Sequence, residues 1–67
     1  MTFHALVEKL RREKIFSLED YWYANDIDFL EEVQAKMYRW KKLPADAMSQ
    51  SESQALALLP EIDRVMQ

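Results

Sequence analysis

Hydrophobic residues recur along the first ten positions at the spacing of one helical face. Positions i, i+3, i+4 and i+7 of this run are Phe3, Leu6, Val7 and Leu10. Such spacing is typical of an amphipathic helix that buries one side. Thr2 precedes the run and is a residue type that caps helices. The pattern predicts a first helix from Phe3 to about Lys14.

A second helix start is indicated at residue 17. The tetrapeptide from Ser17 to Asp20 resembles a capping box, in which a serine hydroxyl and an acid three residues later satisfy free backbone amides. Leu18, Tyr21 and Trp22 follow as its apolar residues. Asn25-Asp26 is a polar turn signal. The sequence therefore predicts a helix over Ser17 to Ala24, with a break or kink at Asn25-Asp26.

The clearest helical pattern covers Ile27 to Lys42. Apolar residues recur there at spacings of three, four and three, and they are Leu30, Val33, Met37 and Trp40, with Phe29 widening the stripe. Acids at the start and bases at the end match the helix dipole. Pro44 ends the pattern, because the residue before a proline is disfavoured in helical geometry.

Residues after Pro44 predict a linker over 44–51 and a helical segment over 52–67. Two overlapping capping boxes compete for its start, one beginning at Ser49 and one at Ser51. Leu56, Leu59, Ile62 and Met66 keep one helical phase. Pro60 interrupts this run, so it either kinks one helix or occupies the first turn of a separate helix, where proline is tolerated.

These elements predict an all-α fold, a small bundle of three to five helices without a sheet. We interpret residues 1–67 as one domain, with core helices in 1–43, a linker in 44–51 and a C-terminal helical segment in 52–67. The absence of glycine supports this, since tight hairpins favour glycine at positive-φ positions. A chain of this length buries only about 60% of its unfolded surface, so the core is thin.

Composition argues against catalysis, cofactors and metals. Without glycine there is no phosphate-cradling loop, and without cysteine there is no disulfide or thiolate site. His4 is the only histidine and lies where a first helical turn frays. Asp28 and Glu32 are spaced to share a cation, but helix-start acids explain them more simply. No apolar stretch is long enough for a membrane span and no signal peptide is evident, so we expect a cytoplasmic, non-enzymatic protein.

Charge is arranged in blocks. Residues 17–34 hold six acids and no base, whereas residues 35–43 hold four bases and no acid, within a net charge of −3. Two interpretations stay open. Complementary blocks steer charged partners or pair two protomers, or they only complement helix dipoles on solvated faces.

Nucleic-acid binding is the alternative function. Ser17 to Lys42 has the length of a helix-turn-helix, with Phe29 to Lys42 as its recognition helix. The candidate contact residues are Lys9, Arg11, Arg12, Lys14, Arg39, Lys41 and Lys42. Against this, acids at the start of the recognition helix would repel phosphates, and Trp22 falls near the helix crossing, where small residues are usual.

Surplus aromatic residues favour a protein-interaction module. Eight aromatics in 67 residues exceed what one small core shields, and exposed aromatics with polar tips are enriched in interfaces. The candidate partner-binding residues are Tyr21, Trp22, Tyr23 and Tyr38. We expect a small adaptor, inhibitor or regulatory subunit that binds another protein or its own copy. A homodimer is favoured because the Leu30, Val33, Met37 and Trp40 stripe is suited to completing a thin core against a second copy.

Overall fold

The structure, a computed structural model, describes residues 2–67, and every regular element in that range is helical. The α-helices are α1 (Phe3–Arg12), α2 (Lys14–Ser17), α3 (Asp26–Trp40), α4 (Gln50–Leu56) and α5 (Leu59–Met66), and two 3₁₀ turns cover Asp20–Tyr23 and Ala45–Ala47. The predicted all-α bundle is confirmed. None of the helices within residues 2–67 has both the length and the apolar character needed to cross a membrane.

Helix α1 begins at the predicted cap. The Thr2 hydroxyl oxygen accepts a hydrogen bond from the amide of Ala5 at 3.2 Å. Of the predicted apolar face, Leu6, Val7 and Leu10 are buried and Phe3 is partly buried. The helix ends at Arg12, two residues earlier than predicted, because Glu13 adopts an extended backbone. This break redirects the chain so that α2 turns Phe16 fully into the core.

The predicted helix over Ser17 to Ala24 is wrong. Ser17 does not start a helix but ends α2, and its hydroxyl donates to the carbonyl of Lys14 at 3.2 Å. Glu19 and Ala24 are both extended, so only a short 3₁₀ turn forms between them. Tertiary contacts explain the difference, since the carbonyls of Trp22 and Ala24 are bound by a side chain of α1. Without a first helix, the helix-turn-helix arrangement is not present.

Helix α3 confirms the strongest pattern of the sequence. Asn25 caps it by accepting a hydrogen bond from the amide of Asp28 at 2.9 Å, and the predicted turn therefore lies at Asn25. The helix ends at Trp40. All five apolar residues of the predicted stripe, including Phe29, are buried.

The chain after Pro44 contains two helices rather than one kinked helix. Of the two competing capping boxes, the one from Ser49 to Glu52 forms, with both reciprocal bonds present. Helix α4 consequently begins at Gln50, two residues before the predicted start of the C-terminal helical segment at residue 52. Pro60 lies in the first turn of α5, where its missing amide is not needed.

One hydrophobic core joins all five helices. Helix α5 packs against α1 and α3, and its fully buried Ile62 joins the core. The segment after Pro44 therefore folds back on its own chain. The α3 stripe is covered within the chain, so it is not free to complete a core against a second copy, as the sequence analysis expected.

Candidate functional site

The stretch from Leu18 to Ile27 carries three of the five exposed large hydrophobic side chains among residues 2–67, and Arg11 of α1 binds its backbone. The Arg11 guanidinium donates to the carbonyl oxygens of Trp22 and Ala24, the latter at 2.6 Å. It also lies 3.4 Å from a carboxylate oxygen of Asp26. In return, the indole Nε1 of Trp22 donates to the Arg11 carbonyl at 2.9 Å. We call this set of contacts the Arg11 clamp.

The clamp rests on the core. The Arg11 guanidinium carbon lies 4.2 Å from the ring centroid of buried Phe29, a cation–π geometry. Only 20% of the Arg11 side chain is exposed. Arg11 was predicted as a candidate phosphate contact, but its donors are used within the protein. It is a structural residue, which the sequence pattern did not reveal.

Tyr21 faces inward on the same stretch. Its ring centroid is 5.8 Å from that of Phe29, and Lys36, which pairs with Glu19, lies 5.9 Å from the Tyr21 ring. Burial raises the pKa of Tyr21 to about 12, with Glu19 and Glu32 adding to the effect. Tyr21 and Trp22, both predicted as partner-binding residues, are partly buried.

Three apolar side chains of this stretch point into solvent. Tyr23 is 85% exposed, Leu18 86% and Ile27 57%. The Tyr23 ring makes an edge contact with the Trp22 ring, with the centroids 5.1 Å apart. We call these three residues the Tyr23 surface. Tyr23 was a predicted site residue, whereas Leu18 was expected to face inward and Ile27 was not singled out.

Tyr38 lies apart from the other three candidate aromatics, towards the C-terminal end of α3. Its hydroxyl donates to a carboxylate oxygen of Asp63 on α5 at 2.7 Å, and the Gln34 amide donates to the other oxygen at 2.7 Å. These bonds lower the pKa of Asp63, with the Tyr38 bond as the larger cause. Tyr38 is 41% exposed, and its polar tip serves the joint between α3 and α5.

The hydrogen bonds of Tyr38 and Gln34 to Asp63 predict that the stability of the fold depends on pH. The pKa of Asp63 is lowered by folding, so its stabilising effect is present above the ordinary aspartate pKa of about 3.9 and is lost as the pH falls through the folded value. We expect wild type to lose stability relative to Asp63→Asn below about pH 4. Urea unfolding between neutral and strongly acidic pH measures this, and Tyr38→Phe should show a smaller change in the same direction. Parallel pH profiles for wild type and Asp63→Asn would contradict the role of the joint.

The remaining predicted basic residues form two sets along the chain. Lys9, Arg12 and Lys14 are exposed on α1 and at the start of α2, and Arg39, Lys41 and Lys42 are exposed at and just beyond the end of α3. Lys41 lies 5.4 Å from the Tyr38 ring centroid. The start of α3 is acidic and exposes carboxylates, whereas its end is basic.

Among residues 2–67, the histidine and the acidic residues do not form a metal-binding cluster. His4 is exposed on the first turn of α1, with Nε2 3.1 Å from Glu8. No group of three or more potential metal ligands is present in that range. Comparison of the chain with protein-family models, curated proteins and solved structures finds no match. The surface geometry therefore carries the functional argument.

Proposed function

We propose that this chain is a non-enzymatic protein-interaction module, a small adaptor, inhibitor or regulatory subunit that binds another protein through the Tyr23 surface. The observation that carries the proposal is the exposure of three apolar side chains within ten residues. A small domain normally exposes such residues singly. Their clustering in one segment favours a contact surface. The lack of cysteine supports a cytoplasmic setting.

The Arg11 clamp makes this surface suitable for binding. Loops that must be ordered on association lose affinity to conformational entropy. Here the backbone around Tyr23 is already bound to α1 at two carbonyls. Tyrosine adds a large contact area with few rotatable bonds. Tyr23 is thus presented as a pre-ordered anchor.

Charge around the surface defines the expected partner. Asp20 and Asp28 are exposed beside it, and they lie in the segment that contains six acids and no base. Charges at the rim of an interface mainly select the partner and speed its encounter. We therefore expect a partner surface with an apolar centre and basic residues at its edge.

Photo-crosslinking tests the proposal in the source cell. A photoreactive phenylalanine analogue in place of Tyr23 should give a discrete adduct with another protein, whereas the same analogue in place of Leu43, which is also apolar and exposed, should not. With the captured partner purified, Tyr23→Ala should weaken binding about 30-fold, the loss typical of an aromatic anchor. Circular dichroism should show unchanged helix content. Equal adducts at positions 23 and 43, or unchanged affinity of Tyr23→Ala, would overturn the proposal.

A further inference from the structure

Helix α3 exposes a continuous face along its whole length. The residues at i, i+4, i+8 and i+11 of this face, together with one in the turn beyond, are Ile27, Glu31, Ala35, Tyr38 and Lys42, and all are exposed. Asp28 and Arg39 widen the face and are exposed too. Contacts with the rest of the chain run along its two sides, through Gln34 and the Tyr38 hydroxyl to Asp63 and through Lys36 to Glu19. We call this surface the outer face of α3.

Charges on the outer face are arranged symmetrically about Ala35. Glu31 precedes Ala35 by four residues and Arg39 follows it by four, while Asp28 precedes it by seven and Lys42 follows it by seven. Lys42 lies in the turn just beyond the helix, where its amide bonds to the Arg39 carbonyl. When two antiparallel copies of this helix meet at Ala35, each of these acids therefore lies opposite a base of the other copy.

This symmetry identifies the kind of partner that fits. Acids lie four and seven residues before Ala35, and bases lie four and seven residues after it. An identical helix running antiparallel places each acid opposite a base, whereas a parallel copy would place like charges together. Two-fold interfaces are self-complementary, so each contact occurs twice. Ala35 at the crossing point has only a methyl group, which permits close approach of the helix axes.

We propose that two copies of this chain pair through the outer face of α3, antiparallel and centred on Ala35. In the dimer Glu31 of one protomer pairs with Arg39 of the other, and Asp28 with Lys42. The inference goes beyond the binding of another protein by the Tyr23 surface, but it includes Ile27 of that surface and the neighbouring Asp28, so the two interfaces compete for these residues. It gives the charge blocks a role in pairing two copies, which helix-dipole complementarity alone does not require. Because the pairs are exposed at the rim, the dimer weakens as salt rises.

Charge reversal gives a sharp test, measured by sedimentation equilibrium over a range of concentrations. Glu31→Arg alone and Arg39→Glu alone each place like charges opposite one another twice, so each should weaken the dimer about tenfold or more. An equimolar mixture of the two single variants should form a heterodimer, because both contacts become opposite in sign. The double variant Glu31→Arg/Arg39→Glu should again form a homodimer.

Matched controls carry the same charge changes elsewhere on the surface. Asp46→Arg and Lys9→Glu alter exposed residues away from α3 and should leave the dimer unchanged. The proposal is overturned by a wild-type chain that stays monomeric up to about 1 mM, by dimers indifferent to both single reversals, or by a mixture that fails to associate. Crosslinking of a partner at position 23 in the Glu31→Arg variant separates this outcome from failure of the Tyr23 surface.

Discussion

Phe16→Ala is expected to remove a large part of the protein's free energy of unfolding. Phe16 is fully buried and stacks on Trp40, with ring centroids 5.8 Å apart. Removing a buried phenylalanine side chain costs about 3–5 kcal/mol. The total stability of a chain of this length is roughly 3–10 kcal/mol. Urea unfolding followed by circular dichroism measures the loss.

Leu18→Ala is the matched control. Leu18 stands two residues further on and is almost fully solvated, so its removal should change the free energy of unfolding by less than about 0.5 kcal/mol. The same variant should weaken partner binding, because Leu18 belongs to the Tyr23 surface. Equal destabilisation by both substitutions would contradict the assignment of Phe16 to the core and Leu18 to the surface.

Arg11→Ala is expected to lower the free energy of unfolding by about 2–3 kcal/mol, because it removes charge-assisted bonds to two carbonyls. It also exposes the face of Phe29. Arg11→Lys should restore only part of the loss, since an ammonium group does not reproduce the planar fork of the guanidinium. Chemical unfolding gives the energies, and hydrogen exchange of the Trp22 and Ala24 amides, which bond to the carbonyls of Glu19 and Tyr21, reports loosening of the stretch.

Arg12→Ala serves as the control for this experiment. Arg12 is the next residue of α1 and is exposed, so its removal should alter stability by no more than about 0.5 kcal/mol. Arg11→Ala should in addition reduce crosslinking at position 23, because the clamp positions Tyr23. If the two arginine variants unfold alike, the clamp does not stabilise the fold.

Local patterns in the sequence were enough to predict the helices whose buried residues recur at regular helical spacing. Helix α3 follows its apolar stripe and its Asn25 cap, and α1 follows Thr2 and its apolar face. The place of Pro60 was left open between two arrangements, since both keep the same apolar phase. Two separate helices form, and Leu59 and Ile62 of the second are buried where α5 packs on α1 and α3.

The candidate site was less accessible to sequence reasoning. Tyr21, Trp22, Tyr23 and Tyr38 were grouped by residue type, but the structure places Tyr38 apart from the other three and partly buries Tyr21 and Trp22. Trp22 bonds to a carbonyl of α1 and Tyr38 to Asp63 of α5, eleven and twenty-five residues away in the chain. Such distant partners leave no periodic signal.

The sequence by itself determined the all-helical class, the approximate extent of α3 and the cap at Thr2, because backbone sterics and helix periodicity act over a few residues. Only the tertiary structure decided that Leu18 faces solvent, that Ser17 ends a helix and that Arg11 binds the chain around Trp22. Those outcomes depend on contacts between segments far apart in the chain, whose energies outweigh local helix preference.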